Sequence, residues 1–167
     1  PDDLDASVMR VSGARLSELP ALVASYSDKD DMAARIMGDI IFGEPARYLA
    51  GLHSANGHPT FLYRFDVLST SVRAKYKGTP HAQERQYVFD TLHTSPYPAD
   101  DNDKAQAQFA VKYWTNFAKA GDPNGASLPA WPRYAAASDE LLEFTNTGPV
   151  AKTSPHKERW DAITARY

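Results

Sequence analysis

The strand content of this chain constrains its fold more than any other feature. Residues 60–66 form a nearly continuous apolar and aromatic run bounded by turn residues, which is typical of an interior strand covered on both faces. Residues 141–145 form a second short strand, and the sequence supports about two to three strands in all. Because so few strands do not make an independently stable sheet, we expect a piece of a larger α/β body.

Helical patterns occupy much of the remaining chain. One helix is predicted to begin near Ser17, with an early proline. A second is predicted to begin near Asp28, with one apolar face formed by residues that recur at steps close to 3.6, namely Met32, Ile36, Ile40 and Ile41. Gly43 and Pro45 are expected to end the second helix before another helical piece over 46–55. Further helices are predicted over 82–89, 100–120 and 155–167, whereas residues 1–14 are predicted to be irregular.

Composition excludes several classes of function. The chain has 167 residues and a net charge of −3, with acidic and basic residues interspersed, so binding to nucleic acid or to an anionic membrane surface is not expected. It has no cysteine, which excludes disulfides and a cysteine-based zinc site but leaves the cellular compartment open. No apolar run reaches 18 residues, so no membrane span is predicted. The acidic start without methionine suggests that the first residue is a cut point.

A series of motifs gives the chain its most specific signature. The segments in order are Tyr63-Arg64-Phe65-Asp66, Gly78-Thr79-Pro80-His81-Ala82-Gln83-Glu84, Tyr87-Val88-Phe89, Tyr113-Trp114-x-x-Phe117-Ala118-Lys119-x-Gly121-Asp122-Pro123-Asn124-Gly125 and Leu128-Pro129-x-Trp131-Pro132-x-Tyr134. This order and spacing resembles type-B carboxylesterases, the cholinesterase and para-nitrobenzyl esterase group of serine hydrolases. The resemblance covers roughly residues 30–165.

The resemblance implies a fold and a role. The fold would be α/β, with residues 1–167 as a single C-terminal segment of an α/β-hydrolase, and His81 would be the general base of a Ser-His-Glu or Ser-His-Asp triad. No Gly-x-Ser-x-Gly elbow occurs in the chain. The serine, the oxyanion-hole glycines and the acid would therefore lie before Pro1, in an N-terminal part of the same enzyme that acts as partner. The segment is expected to be inactive alone, to serve a small-molecule ester substrate and to need no cofactor.

Other polar residues have simpler interpretations. Glu84 could help to position the histidine loop, but a carboxylate that complements a helix start is favoured. Arg64 and Asp66 are expected to form a structural ion pair. The remaining histidines show no metal-ligand spacing and are assigned surface or packing roles; they are His53, His58, His93 and His156.

Two further features are given structural roles. The helical spacing of Phe109, Tyr113, Trp114 and Phe117 indicates core packing and not ligand stacking. The acidic run 100–103 lacks the glycine and distal glutamate of a calcium loop, so a solvated helix start is preferred. Two alternatives to an esterase segment stay open: a non-catalytic cholinesterase-like binding or adhesion module, and a free-standing helical domain with an unrelated role.

Overall fold

The computed structural model describes residues 3–76 and 78–165. Seven α-helices run through this part of the chain: α1 (Leu4–Ser12), α2 (Pro20–Ala24), α3 (Lys29–Gly38), α4 (Glu44–Ala55), α5 (Glu84–Val88), α6 (Asp101–Ala120) and α7 (Lys157–Thr164). Three strands accompany them: β1 (Tyr63–Phe65), β2 (Glu140–Thr145) and β3 (Gly148–Thr153). A π-helical turn, Asp39–Gly43, joins α3 to α4. The chain is therefore helix-rich with a small mixed sheet.

The sheet has the order β1-β2-β3. β1 runs parallel to β2, with Tyr63 opposite Leu142, and β2 forms an antiparallel hairpin with β3. Within the described residues β1 pairs only with β2, so it lies at the edge of this sheet although its sequence is that of an interior strand. Tyr63 is exposed and Arg64 and Phe65 are half-buried, so among the described residues β1 is not covered on both faces as its sequence predicts.

The sheet packs against α6 through an aromatic cluster. Tyr113 of α6 and Phe144 of β2 are fully buried, and their rings meet edge to face at 5.6 Å. The Trp131 ring packs on both, and its indole Nε1 donates a hydrogen bond of 2.9 Å to the Leu62 carbonyl oxygen. The aromatic positions of α6 thus build core, except that Phe117 is half exposed, at 50%. This core fixes where β1 lies.

Several helix predictions are confirmed. α6 begins after Asp100, whose carboxylate accepts from the Asp103 backbone N–H at 2.9 Å, and it ends at Gly121 in the left-handed conformation. α3 begins after Asp28, which caps it through the Asp31 backbone N–H. The C-terminal helix forms as α7 with Trp160 buried.

Other predictions are wrong. The prediction of an irregular stretch over 1–14 fails within the described residues, because Asp3 caps α1 through the Ala6 backbone N–H at 2.8 Å and Leu4–Ser12 form a helix. Gly43 and Pro45 do not interrupt the helical conformation. Pro45 lies in the first turn of α4, where its missing N–H is tolerated. Ser17 lies inside a short 3₁₀ turn, and the N-cap of α2 is Leu19.

Candidate functional site

A cleft of about 700 Å³ lies on the open side of β1. Its walls come from the π turn, from β1, from the loop that carries His81 and from the start of α7. These segments are distant in sequence, and they meet around the cleft in the folded chain.

His81 lies on the cleft wall with its side chain exposed. Its ring stacks on the ring of Phe42, with centroids 4.2 Å apart and planes 15° from parallel. The next residue, Ala82, has a positive φ of 63°, an uncommon conformation for a residue with a β-carbon. The backbone turns sharply there, and α5 starts two residues later at Glu84. The predicted base is thus held in an exposed loop that opens onto the cleft.

Asp39, the first residue of the π turn, holds the turn in place through buried hydrogen bonds. This buried carboxylate accepts from the Tyr26 hydroxyl at 2.9 Å and from the Trp160 indole Nε1 at 3.0 Å. Burial and the neighbouring negative charge of Asp39 raise the pKa of Tyr26, so the phenol stays a donor. The Glu44 backbone N–H bonds to the Asp39 carbonyl five residues back, which defines the π turn. Phe42 projects from this fixed turn.

Gly43 makes the anchor possible. A β-carbon built at Gly43 would lie 2.7 Å from the Nε1 and Cζ2 atoms of Trp160, closer than any unstrained contact. The indole therefore packs directly on the Gly43 backbone while it donates to Asp39. The glycine that the sequence suggested as a helix breaker is a close-approach position instead.

Glu84 lies beside the cleft at the first position of α5. Burial, and then the negative charge of Glu84, raise the pKa of Tyr63 on β1. The N-cap residue of α5 is Gln83, and its side chain makes no capping hydrogen bond. Glu84 thus occupies the dipole-favoured first turn that the sequence indicated.

Arg64 and Asp66 form the expected ion pair, 3.1 Å apart. Arg64 also pairs with Glu143, and Lys152 reaches the other oxygen of Glu143 at 2.8 Å. Burial opposes ionisation of Glu143, but these cationic hydrogen bonds outweigh it and lower the pKa of that carboxyl. The network ties β1 to β2 and β3.

Three of the remaining histidines make ring contacts, and the fourth, His93, is exposed. His53 and His58 stack on each other at 4.7 Å, and His53 bonds to the Thr60 hydroxyl. His156 lines the cleft and meets the Trp160 ring edge to face at 5.9 Å; burial lowers its pKa. In the described ranges no group of three or more histidine or carboxylate side chains could hold a metal ion. No described helix is long and apolar enough to cross a bilayer.

The acidic run at the start of α6 is only partly solvated. Asp103 is fully buried and accepts from the Ser69 hydroxyl at 3.0 Å and from the Asp100 backbone N–H at 3.1 Å. Asp101, in contrast, has a side chain that is 98% exposed. The run therefore joins the helix start to the loop after β1.

Exposed apolar side chains continue from the π turn onto α4. Ile41, Leu49 and Leu52 are 42%, 65% and 47% exposed. The helical repeat predicts an inward-facing Ile41 together with Met32, Ile36 and Ile40, but only the last three are buried. Phe42 also faces outward, where it stacks on His81, and no pattern in the sequence distinguished it from a core residue.

Comparison with known proteins gives one consistent result. A sequence model of the carboxylesterase family matches residues 20–163. The chain is 31% identical over 121 residues to the liver carboxylesterase of Sus scrofa, covering 71% of this chain and 21% of that protein. It is 33% identical over 129 residues to carboxylesterase 1D of Rattus norvegicus, covering 70% and 22%.

Solved structures match over nearly the whole chain. Carboxylesterase EST55 of Geobacillus stearothermophilus superposes with a TM-score of 0.78 and 25% identity, covering 97% of this chain and 34% of that protein. A thermophilic para-nitrobenzyl esterase superposes with a TM-score of 0.77 at 24% identity, which shows a shared fold. The chain thus spans about a fifth of its mammalian relatives and a third of the structural ones.

Proposed function

We propose that this chain, which belongs to the carboxylesterase family, supplies the catalytic histidine of a carboxylic ester hydrolase. We propose that His81 is this histidine. The observation that carries the proposal is the position of His81: its ring is exposed on the wall of a 700 Å³ cleft, in a loop next to the unpaired edge of β1. The other histidine lining this cleft, His156, is partly buried against Trp160.

The chemistry needs an imidazole in such a place. A neutral imidazole takes the proton of a serine hydroxyl while the serine oxygen attacks the ester carbonyl carbon. The tetrahedral intermediate expels the alcohol, which leaves with that proton, and an acyl-serine forms. Water then attacks in the same way. The imidazole takes a proton from water, the hydroxyl adds to the acyl carbon, and the serine oxygen regains a proton as the carboxylic acid product leaves.

The rest of the machinery would come from another segment. A carboxylate must hold the imidazole tautomer and backbone donors must meet the oxyanion, and the chain contains no Gly-x-Ser-x-Gly motif. We infer that the remaining part of a carboxylesterase carries these groups and packs along β1 and the apolar surface at Ile41, Leu49 and Leu52. Two observations support this: the open strand edge and the fraction of its relatives that the chain spans.

The first experiment tests the chain alone. Purified residues 1–167 and the His81→Ala variant should hydrolyse para-nitrophenyl acetate at the same rate, since a base without its nucleophile and oxyanion hole gives no acyl-enzyme. A burst of nitrophenol that depends on His81 would contradict the proposal.

The second experiment tests the complete esterase that includes this segment. His81→Ala should lower kcat by about 10⁴–10⁶-fold, as loss of a triad member does in other serine hydrolases, and added imidazole should restore part of the rate. His93→Ala, which removes an exposed histidine away from the cleft, is the matched control. An active complete protein whose rate does not depend on His81 would refute the assignment. A complete protein without hydrolysis would favour the binding-module alternative.

A further inference from the structure

We propose that Phe42 is a positioning residue for His81: its ring holds the imidazole at the orientation that proton transfer requires. This inference rests on the proposed function of His81. The stack is close and nearly parallel, at 4.2 Å and 15°. In the described ranges neither ring nitrogen of His81 has a hydrogen-bond partner, so Phe42 is the contact that defines the ring plane.

A stacked neighbour suits a catalytic imidazole for a geometric reason. The two nitrogens lie on the edge of the ring, and a triad uses both: one faces the serine and the other the acid. Contact through the ring face leaves both nitrogens free, whereas a hydrogen bond from a local side chain would occupy one. Phe42 therefore restricts rotation of the ring without competing for its proton sites.

The Phe42 side of the stack is rigidly mounted. Phe42 lies in the π turn, whose first residue, Asp39, is held by Tyr26 and Trp160 through buried hydrogen bonds of 2.9 and 3.0 Å. Trp160 also packs on the Gly43 backbone. The backbone on both sides of Phe42 is thus fixed by buried contacts.

The His81 side is weakly held without the stack. The loop before it has a long hydrogen bond from the Thr79 hydroxyl to the Val67 carbonyl, at 3.4 Å, and a backbone bond from Gln83 to Pro80 at 3.3 Å. Arg85 Nε also donates to the Ala82 carbonyl at 3.1 Å, but this contact is local to the loop. The aromatic contact therefore links the histidine loop to the rigid helical body.

The exposed position of Phe42 permits a clean substitution series. Its side chain is 48% exposed, so Phe42→Leu removes the aromatic face at little cost to folding, and Phe42→Tyr retains the face. Phe89→Leu makes the same change at a phenylalanine that is 73% exposed. In the 167-residue chain, Phe42→Leu should move the His81 ring-proton NMR resonances downfield, because the ring current of the stacked phenyl is lost. Phe42→Tyr and Phe89→Leu should leave them in place.

Kinetics of the complete esterase then test the catalytic consequence. Phe42→Leu should reduce kcat by about 10–100-fold, the range expected for a misplaced catalytic group, with KM changed less than about threefold. Phe42→Tyr should retain the wild-type kcat. Equal losses in the Leu and Tyr variants, or unchanged His81 resonances in Phe42→Leu, would overturn the positioning role.

The two proposals fail in distinguishable ways. An esterase that needs His81 but is indifferent to Phe42→Leu refutes the positioning role and leaves the proposed function intact. An esterase indifferent to His81→Ala refutes both, even if the NMR shifts confirm the stack.

Discussion

Replacement of Gly43 by alanine should destabilise the fold even though alanine is the better helix former. The new β-carbon would lie 2.7 Å from two atoms of the Trp160 indole, while unstrained carbon contacts begin near ~3.5 Å. Trp160 is only 6% exposed, so the indole must move about 1 Å inside a packed core. That movement also lengthens its 3.0 Å hydrogen bond to Asp39.

The magnitude follows from three contributions. Overpacking costs about 1–3 kcal/mol, and losing a hydrogen bond to a charged group costs about 1.5–3 kcal/mol. The helix propensity of alanine offsets about 1 kcal/mol. We therefore expect Gly43→Ala to lower the free energy of unfolding by about 1.5–5 kcal/mol.

Urea denaturation followed by tryptophan fluorescence measures this change. The control is Gly51→Ala in α4, where a β-carbon meets no atom within 4 Å. It should raise the free energy of unfolding by about 0.4–1 kcal/mol. If Gly43→Ala is as stable as Gly51→Ala, then Trp160 does not pack on the Gly43 backbone and the account of the π-turn anchor is refuted.

Three further changes test other parts of the molecule, each by denaturation monitored with circular dichroism. Burial lowers the pKa of His156, so its contribution to stability is present above the unfolded pKa near ~6.5 and lost as pH falls; His156→Gln should flatten the pH dependence between about 7 and 5. Asp103→Ala should cost about 1–3 kcal/mol, because it leaves buried donors unpaired, whereas exposed Asp101→Ala should change stability by less than ~0.5 kcal/mol. The pKa of Glu143 is lowered, so its contribution is lost as pH falls below about 4, and Glu143→Gln should reduce that acid sensitivity.

Local signals in the sequence predicted the elements with strong caps or periodicity. α6 has an aspartate cap, a helical aromatic stripe and a terminal glycine, and each signal is independent of the rest of the fold. β2 was recognised from its apolar run. β3 was missed because Gly148, Pro149 and Lys152 are poor strand formers. Pairing with β2 determines its conformation, and pairing partners cannot be read locally.

The cleft was less predictable than the elements around it. The motif over 78–84 singled out His81 as the candidate base. Its catalytic role stays a prediction. The sequence did not indicate that Phe42 and His156 line the same cleft as His81. Phe42 reaches the cleft from the π turn, and His156 reaches it from the start of α7, more than 70 residues after His81. A π turn adds one residue to a helical repeat without a signal in composition, so the repeat alone cannot assign the side chains that follow it to a face.

The parallel pairing of β1 with β2 has a consequence during synthesis. Arg64 and Glu143, opposite each other in the ladder, are 79 residues apart. At about 5–20 residues per second, a ribosome needs roughly 4–16 s to produce β2 after β1 has emerged. Throughout that interval the edge of β1 that pairs with β2 in the fold has no strand to bond. A product that ended before Glu140 would lack β2 and could not form this ladder.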